Sequence, residues 1–299
     1  PLRCRLVLNN LVTKKIKESD VFLGEFPLMT SRGTFIVNGI ERVVVNQIVR
    51  SYGVLFVSDF NAGRQLFGAK IIPSRGAWLE FETSNRDVIS VKVDRKRKIP
   101  VTTFLRSMGF KDEDWQKVFG DVNDNLDHDY IKATLDRDPA TNYDESLIEV
   151  YKRIRPGDLA TAESAKTFLE AMFTNHKRFD LGRVGRYKVN QRLNLEIKDT
   201  KNNRILKLED LVAVVKEIIR LNNAEQAEAD DIDHLKNRRV RSVGESVQNR
   251  LRVGFLRMER IIKDRMSVID QETVTPAQLI NSRPIVAVLQ EFFASSQLS

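Results

Sequence analysis

The sequence is short of several residue types and motifs, and each shortage excludes a class of protein. Cys4 is the single cysteine among 299 residues, which excludes an internal disulfide and is typical of a reducing compartment. No uninterrupted apolar run approaches the roughly 18 residues of a membrane-spanning helix, and the first residues lack the apolar segment of a secretory signal. Phosphate-loop, zinc-protease and serine-hydrolase motifs are also missing, so the sequence predicts no familiar catalytic centre.

The residues that are present give an ordinary globular composition with a surplus of basic side chains. Hydrophobic residues make up 41% of the chain and charged residues 30%, which provides enough apolar material for a sizeable core. A length of 299 residues predicts two domains. The formal net charge of +8 favours an anionic partner. The chain begins without Met and ends at Ser299 without a polar tail, so we expect a piece of a longer polypeptide.

The basic surplus is concentrated in one region. Residues 236–265 contain ten Lys or Arg against three Asp or Glu, and an acidic stretch beginning at Asp230 comes just before them. Clustered arginines are typical of nucleic-acid binding. Arginine donates to O6 and N7 of guanine, and a carboxylate accepts from base amino groups. Asp233 with Arg238 could therefore form a guanine pocket.

The same acidic stretch has two other interpretations. Asp230, Asp231, Asp233 and His234 combine oxygen and imidazole ligands that suit zinc or manganese, although a complete site normally draws on further ligands. The stretch is also compatible with a solvated turn whose carboxylates pair with the basic residues that follow. Spacing alone leaves nucleic acid, metal and ion-paired turn open.

Isolated residues elsewhere carry weaker signals. Trp78 follows a turn and begins a predicted strand, where it could belong to the core or could stack on an unpaired base. Arg50 has the character of an ordinary surface arginine. The glycines of Leu181–Arg186 do not open a helix directly after a strand, so they do not indicate a dinucleotide site.

Hydrophobic periodicity predicts an α+β fold, with strands mostly in the first third and helices after it. Asn38-Gly39 between β-branched runs predicts a two-residue hairpin. Residues 176–192 are interpreted as an exposed basic loop and residues 222–230 as a linker. The other predicted elements are strands at 68–72, 77–82 and 88–93, a helix capped by Thr161, helices at 209–221 and 243–266, and short helices opened by Pro276 and Pro284.

Several segments together resemble the β subunit of bacterial DNA-directed RNA polymerase. They run from near the first residue to the last and are free of simple composition. The matching segments are GEFPLMT at 24–30, GTFIVNG at 33–39, ERV at 41–43, RPG at 155–157, VGRYK at 184–188, 230–245, and FFASSQLS at 292–299. Tyr52, where the family usually has Pro, and Ala294, where Gly is usual, are departures.

The resemblance implies an organisation and a general role. The lobe (β2, residues 50–241) is expected to be inserted within the protrusion (β1, residues 1–49 and 242–299). The family's catalytic Mg²⁺ is held by a partner subunit, so the resemblance implies no catalysis and no cofactor in this chain by itself, although the assembled complex is a nucleotidyltransferase. Expected partners are DNA, the β′, α and ω subunits and a sigma factor, in the cytoplasm at the nucleoid.

Three sets of site residues follow from the resemblance by position. The first set contacts the non-template strand of the transcription bubble and comprises Arg50, Trp78, Ile232, Asp233 and Arg238. The second is part of the rifamycin-binding wall and comprises Val45, Ser295, Ser296, Gln297, Leu298 and Ser299. The third is the β1 patch that docks repair-coupling factors and CarD-type regulators, and it comprises Ile16, Lys17 and Glu18. An alternative is a pure scaffold that binds such a regulator and has negligible affinity for DNA.

Overall fold

A computed structural model describes residues 1–11, 13–270 and 273–295. Its helices and antiparallel strands occupy largely separate stretches of the chain, which confirms the predicted α+β class. The strands are β1 (Leu2–Asn9), β2 (Ile16–Gly24), β3 (Phe35–Val37), β4 (Ile40–Arg42), β5 (Gln47–Arg50), β6 (Gly53–Asn61), β7 (Arg64–Ile72), β8 (Leu79–Thr83), β9 (Ile89–Val93), β10 (Ile99–Pro100) and β11 (Arg238–Arg241).

The helices follow mainly after the large sheet. They are α1 (Val101–Ser107), α2 (Trp115–Phe119), α3 (Tyr130–Leu135), α4 (Tyr143–Ile154), α5 (Ala162–Phe173), α6 (Gly182–Leu193), α7 (Leu208–Asn223), α8 (Val243–Val268), α9 (Pro276–Leu279) and α10 (Arg283–Ala294). Among the described helices, none combines the length and the apolar character that a membrane crossing requires.

The chain divides into two compact units. The central unit is Arg50–Arg238, and the terminal unit combines Pro1–Val49 with Arg239–Ser299. The terminal unit resumes at Arg239, three residues before residue 242, the position expected from the sequence. Arg239 pairs with Glu245 (2.5 Å) and Arg241 bonds to Gln47, so these arginines are held within the terminal unit.

The central unit is built on a five-stranded antiparallel sheet with the order β10-β9-β8-β7-β6. Alternation places Ile89, Val91 and Val93 of β9 in the core, because successive side chains of a strand point to opposite faces. Gly68 of β7 is required by close packing, since a Cβ there would lie 2.2 Å from the carbonyl oxygen of Phe81. The predicted strands at 68–72, 77–82 and 88–93 are confirmed, with each end within four residues of its prediction.

The predicted helices of the central unit are also confirmed. Thr161 caps α5 by accepting from the backbone N–H of Ser164 (3.2 Å), and the Ser164 hydroxyl accepts from the N–H of Thr161 (3.1 Å). The apolar stripe of α7 is buried through Leu211, Val214 and Ile218. Both helices therefore contribute one apolar face to the core beside the sheet.

The interpretation of residues 176–192 as an exposed basic loop is wrong over most of its length. The segment contains α6, and Arg186 on this helix is fully buried. Its guanidinium donates to both oxygens of Asp210, at 2.6 and 2.8 Å. The local sequence is polar enough to suggest a loop, because the carboxylate that neutralises Arg186 is distant along the chain.

The interpretation of residues 222–230 as a linker is also wrong. Asn222 accepts from the N–H of Phe67 (3.0 Å), and Asp230 bonds to the backbone of Phe56. Ala227 and Ala229 pack against the core between these two points. Residues 222–230 are therefore held against the sheet of the central unit at both ends.

Over its described residues, the terminal unit combines two hairpins with three helices. The turn between β3 and β4 is confirmed, because Asn38 and Gly39 have φ of 53° and 78°, the positive values that a type I′ turn needs. The β1–β2 hairpin escaped prediction because its strands alternate on a largely exposed surface. Helix α8 matches the predicted helix within two residues at each end, and α9 and α10 begin within one residue of the predicted openings at Pro276 and Pro284.

The terminal core forms where α8 and α10 pack together. Its buried cluster is Phe35, Val44, Ile285, Leu289, Phe292 and Phe293, with Val247 and Leu251 of α8 partly buried against it. Gly254 permits the close approach, because a Cβ there would lie 3.0 Å from the side chain of Val288.

Candidate nucleic-acid interface

The acidic segment begins at Asp230, which is hydrogen-bonded to the edge strand β6. The N–H of Asp230 donates to the carbonyl of Phe56 (2.9 Å), and its carboxylate accepts from the N–H of Phe56 (2.8 Å). Nε of Arg192 donates to the same carboxylate (3.1 Å), and its guanidinium lies 4.4 Å from the centre of the Phe56 ring. Asp230 is thus an anchor at the sheet edge.

The residues after it form a compact turn. The Asp231 carboxylate accepts from the N–H groups of Asp233 (2.9 Å) and His234 (3.3 Å). Nδ1 of His234 accepts from the N–H of Lys236 (3.0 Å). The side-chain amide of Asn237 donates to the carbonyl of Asp231 (2.7 Å) and closes the turn.

Two further contacts fix this turn to the central unit. The N–H of Ser51 donates to the carbonyl of Asn237 (2.8 Å), and both residues are buried. The ammonium of Lys188 on α6 donates to the carbonyl of Lys236. The sequence does not reveal Lys188, Arg192 and Ser51 as supports of the turn, because nothing in their local spacing indicates a partner so distant along the chain.

The anchored turn presents one exposed ion pair, which we call the 233/238 pair. An oxygen of Asp233 lies 2.5 Å from Nη2 of Arg238, and the Asp233 side chain is 83% exposed. Arg238 is 36% exposed, and its buried Nε has no partner among the described residues. The structure therefore brings together the two residues from which the sequence predicts a guanine pocket.

The other carboxylates of the segment serve different partners. Asp230 bonds to the N–H of Phe56 and to Arg192, whereas Asp231 bonds only to backbone N–H groups of the turn among the described residues. Within the described ranges, no group of three or more His, Cys, Asp or Glu side chains is arranged to hold a metal ion. Of the three interpretations left open, the geometry favours a turn that carries an exposed acid–base pair.

Trp78 lies immediately before β8 and is half-buried. Its N–H donates to the carboxylate of Asp94 (2.8 Å), and its carbonyl accepts from the N–H of Asp94 (2.9 Å). Among the described residues, its ring takes part in no aromatic pair or cation–π contact. The backbone of Trp78 is therefore fixed by Asp94, and the residue as a whole is partly exposed.

Arg50 and Ile232 are also half-buried, in the same unit. Arg50 ends β5, the strand that pairs with β11, which begins at Arg238. In the part of the chain that the structure describes, the Arg50 side chain forms no hydrogen bond or ion pair. No contact of this kind joins Arg50, Trp78 or Ile232 to the 233/238 pair within those residues.

The predicted regulator patch lies on β2 of the terminal unit. Ile16 and Glu18 point to the exposed face, where Ile16 is 63% exposed and Nε of Arg5 donates to Glu18 (3.1 Å). Lys17 points to the opposite face, where its ammonium donates to the carbonyl of Val274 (2.9 Å). The three residues therefore do not form one continuous side-chain surface.

The predicted rifamycin region is described only in part. Val45 is 56% exposed after β4, and Ser295 follows α10. Ser296, Gln297, Leu298 and Ser299 lie outside the described residues. The wall therefore stays a prediction.

Comparison with known families identifies the class of protein. Residues 50–241 match the family model "RNA polymerase Rpb2, domain 2", and the chain belongs to this family. It is 49% identical to the DNA-directed RNA polymerase subunit beta of Chloroflexus aggregans, with all of the chain and 27% of that protein aligned. It is 50% identical to the same subunit in two strains of Dehalococcoides mccartyi, of which it covers 24%.

These relatives confirm the resemblance to the bacterial β subunit. The chain spans about a quarter of the length of the curated relatives it matches.

Proposed function

We propose that this chain is a non-catalytic β1–β2 portion of a DNA-directed RNA polymerase β subunit, which contributes to DNA-templated transcription by holding downstream and non-template DNA and by docking transcription regulators. Its family membership supports the general role, and the exposed 233/238 pair on its anchored turn supports DNA contact. In this proposal the nucleotidyltransferase activity belongs to the assembled enzyme in the cytoplasm, with β′, α, ω and sigma as partners. The catalytic Mg²⁺ is held by another subunit.

The 233/238 pair has the chemistry to recognise guanine. Arg238 can donate to O6 and N7, and Asp233 can accept from the amino group of the base. In the free chain the two side chains pair with each other, and an exposed ion pair contributes only about 0–1 kcal/mol. A well-aligned bidentate base contact contributes about 1–3 kcal/mol of discrimination against the wrong base, so the weak exposed pair is a small obstacle to guanine recognition.

Trp78 and Arg50 would supply contacts that do not depend on sequence. An accessible indole can stack on any base, which contributes about 1–3 kcal/mol. The Arg50 guanidinium, without a hydrogen-bond partner among the described residues, can contact a phosphate. Ile232 would pack against a base or sugar beside Asp233.

The decisive test is the change Asp233→Ala, introduced into the 299-residue chain and into a polymerase that contains it. Affinities would be measured for single-stranded oligonucleotides that carry guanine or adenine at one position. We expect the guanine preference to fall by about 5-fold to 100-fold, because the carboxylate acceptor is lost. Asp158→Ala is the matched control, since Asp158 is an exposed carboxylate beside Arg155 on the same unit. An unchanged guanine preference in Asp233→Ala would rule out the pocket.

A second candidate function is regulator docking through the β1–β2 hairpin without appreciable DNA binding. Exposed Ile16 and Glu18 on one face of β2 favour it. Glu18→Arg should then abolish capture of a repair-coupling factor's interaction domain or a CarD-type regulator, whereas Asp264→Arg on α8 should not. Lys17→Glu is a less specific test, because it would also remove the hydrogen bond from Lys17 to the carbonyl of Val274. Retained capture by Glu18→Arg would place docking elsewhere.

A further inference from the structure

A cavity of about 300 Å³ lies next to the anchored turn in the central unit. Residues of β6, α6 and the turn itself line it. They are Val54, Leu55, Lys188, Gln191, Arg192, Asp230, Lys236 and Asn237. Three of these side chains are cationic and one is acidic.

The single acid of the lining is already occupied. Asp230 accepts from the N–H of Phe56 and from Arg192, and Arg192 also pairs with Glu217 (2.8 Å). Neither Lys188 nor Lys236 forms an ion pair with a carboxylate among the described residues. The Lys236 ammonium likewise has no hydrogen-bond partner there. The cavity therefore keeps two positive charges that nothing in its own wall neutralises.

The two ammonium groups are close enough to affect each other. Burial lowers the pKa of Lys188, and the nearby charge of Lys236 lowers it further. An anion between them would offset both the lost hydration and the repulsion. The exposed amide of Gln191 is a neutral donor for the same anion.

We propose that Lys188 and Lys236 bind a phosphate group of the strand whose base contacts the 233/238 pair. This inference rests on the proposed function for its ligand. Lys236 lies on the turn between Asp233 and Arg238, so one rigid segment carries both the phosphate ligand and the base ligands. Phosphate contacts fix register and base contacts specify sequence, and this turn combines the two.

The test uses the 299-residue chain with Lys236→Gln, which removes the charge and leaves the backbone carbonyl that Lys188 contacts. Binding of a guanine-containing single-stranded oligonucleotide would be measured over a range of salt concentrations. We expect binding about fivefold weaker at 0.1 M salt, and a slope of log K against log salt reduced by about 0.7, because one phosphate contact is lost. The ratio of guanine to adenine affinity should not change.

Two variants complete the design. Lys188→Gln should produce a similar loss while keeping a donor for the carbonyl of Lys236. Lys166→Gln, an exposed lysine of α5 without a partner among the described residues, should bind like the unchanged chain. Unaltered affinity and slope in both Lys188→Gln and Lys236→Gln would overturn the inference. If Asp233→Ala still lost guanine preference in that case, the proposed function would stand without the phosphate site.

Lysine ε-methylene resonances distinguish the source of the phosphate. Saturable shifts of Lys188 and Lys236 on adding the oligonucleotide, with Lys166 unmoved, support the inference. Shifts with inorganic phosphate but not with the oligonucleotide would overturn the assignment to a nucleic-acid strand. If the oligonucleotide shifts both lysines while Asp233→Ala keeps its guanine preference, the phosphate site is supported and the guanine pocket is wrong.

Discussion

The two units of this chain stabilise themselves in different ways. The central unit has a continuous core that joins a five-stranded sheet to several helices, with the ion pair of Arg186 and Asp210 fully enclosed. The terminal unit has a small aromatic and aliphatic cluster beneath α8 and α10. Its loops leave Leu28 and Val45 largely exposed, at 89% and 56%. The difference indicates that many buried side chains share the stabilisation of the central unit, whereas the stability of the terminal unit depends on a few.

The largest expected effect comes from breaking the buried ion pair of Arg186 and Asp210 in the central unit. Arg186→Met leaves the buried Asp210 carboxylate without its partner, so we expect a loss of about 3–5 kcal/mol in the free energy of unfolding. Denaturant titration measures it, with hydrogen exchange locating the loss in the central unit. The double change Arg186→Met with Asp210→Leu should recover most of the stability, because no uncompensated charge remains.

The matched control for that experiment is Arg5→Ala. Arg5 pairs with Glu18, but its side chain is 74% exposed, so we expect a loss of at most about 1 kcal/mol. Equal losses in Arg186→Met and Arg5→Ala would contradict the contrast between an enclosed pair and a surface pair.

The next effect concerns the small core of the terminal unit. Leu289→Ala removes buried contacts of α10, and we expect a loss of about 2–5 kcal/mol. Hydrogen exchange should show faster opening of the terminal unit, since the cluster has few side chains to share the loss. Leu256→Ala on α8 is the control, because that leucine is 59% exposed and should cost little. If hydrogen exchange in Leu289→Ala became faster to the same extent in both units, the proposed difference between their cores would be wrong.

The smallest effect is a pH dependence of the central unit. Burial by itself would raise the pKa of Glu217, but hydrogen bonds from Arg220 and Arg192 outweigh burial and hold its pKa below the usual range. The stabilisation is therefore fully present above the unfolded pKa near 4.3, and it is lost as pH falls through the lower pKa of the folded state.

We expect Glu217→Gln to lose less stability than the unchanged chain when the pH falls from about 5 to about 3. Urea titrations at the two pH values measure the difference. Glu170→Gln, on the exposed side of α5, should behave like the unchanged chain. Parallel pH profiles for Glu217→Gln and the unchanged chain would show that these hydrogen bonds do not stabilise the fold.

Local chemistry explains the elements that could be predicted. The Asn38-Gly39 turn needs only two residues that tolerate positive φ, and the cap of α5 needs only Thr161 and Ser164. The 3.6-residue period of α8 and α7 is likewise contained in short stretches of sequence. Such signals depend on neighbours within one or two turns, so a single sequence reveals them.

The candidate site was predictable in part. Its exposed pair, Asp233 and Arg238, lies within six consecutive residues, and the motif around it carries the family resemblance. Its supports were not predictable, because Lys188, Arg192 and Ser51 approach the turn from other elements. The phosphate cavity could not be predicted either, since its two lysines are 48 residues apart.

Patterns in the sequence alone established the α+β class, half of the ten helices among the described residues and the family to which the chain belongs. Which charged residues are internal supports and which face solvent became clear only from the folded arrangement. Arg186 and Asp233 are both ordinary charged residues in sequence, yet one is enclosed and the other is 83% exposed. The physical reason is that the cost of burying a charge is set by partners that folding brings from distant segments, and no local pattern records those partners.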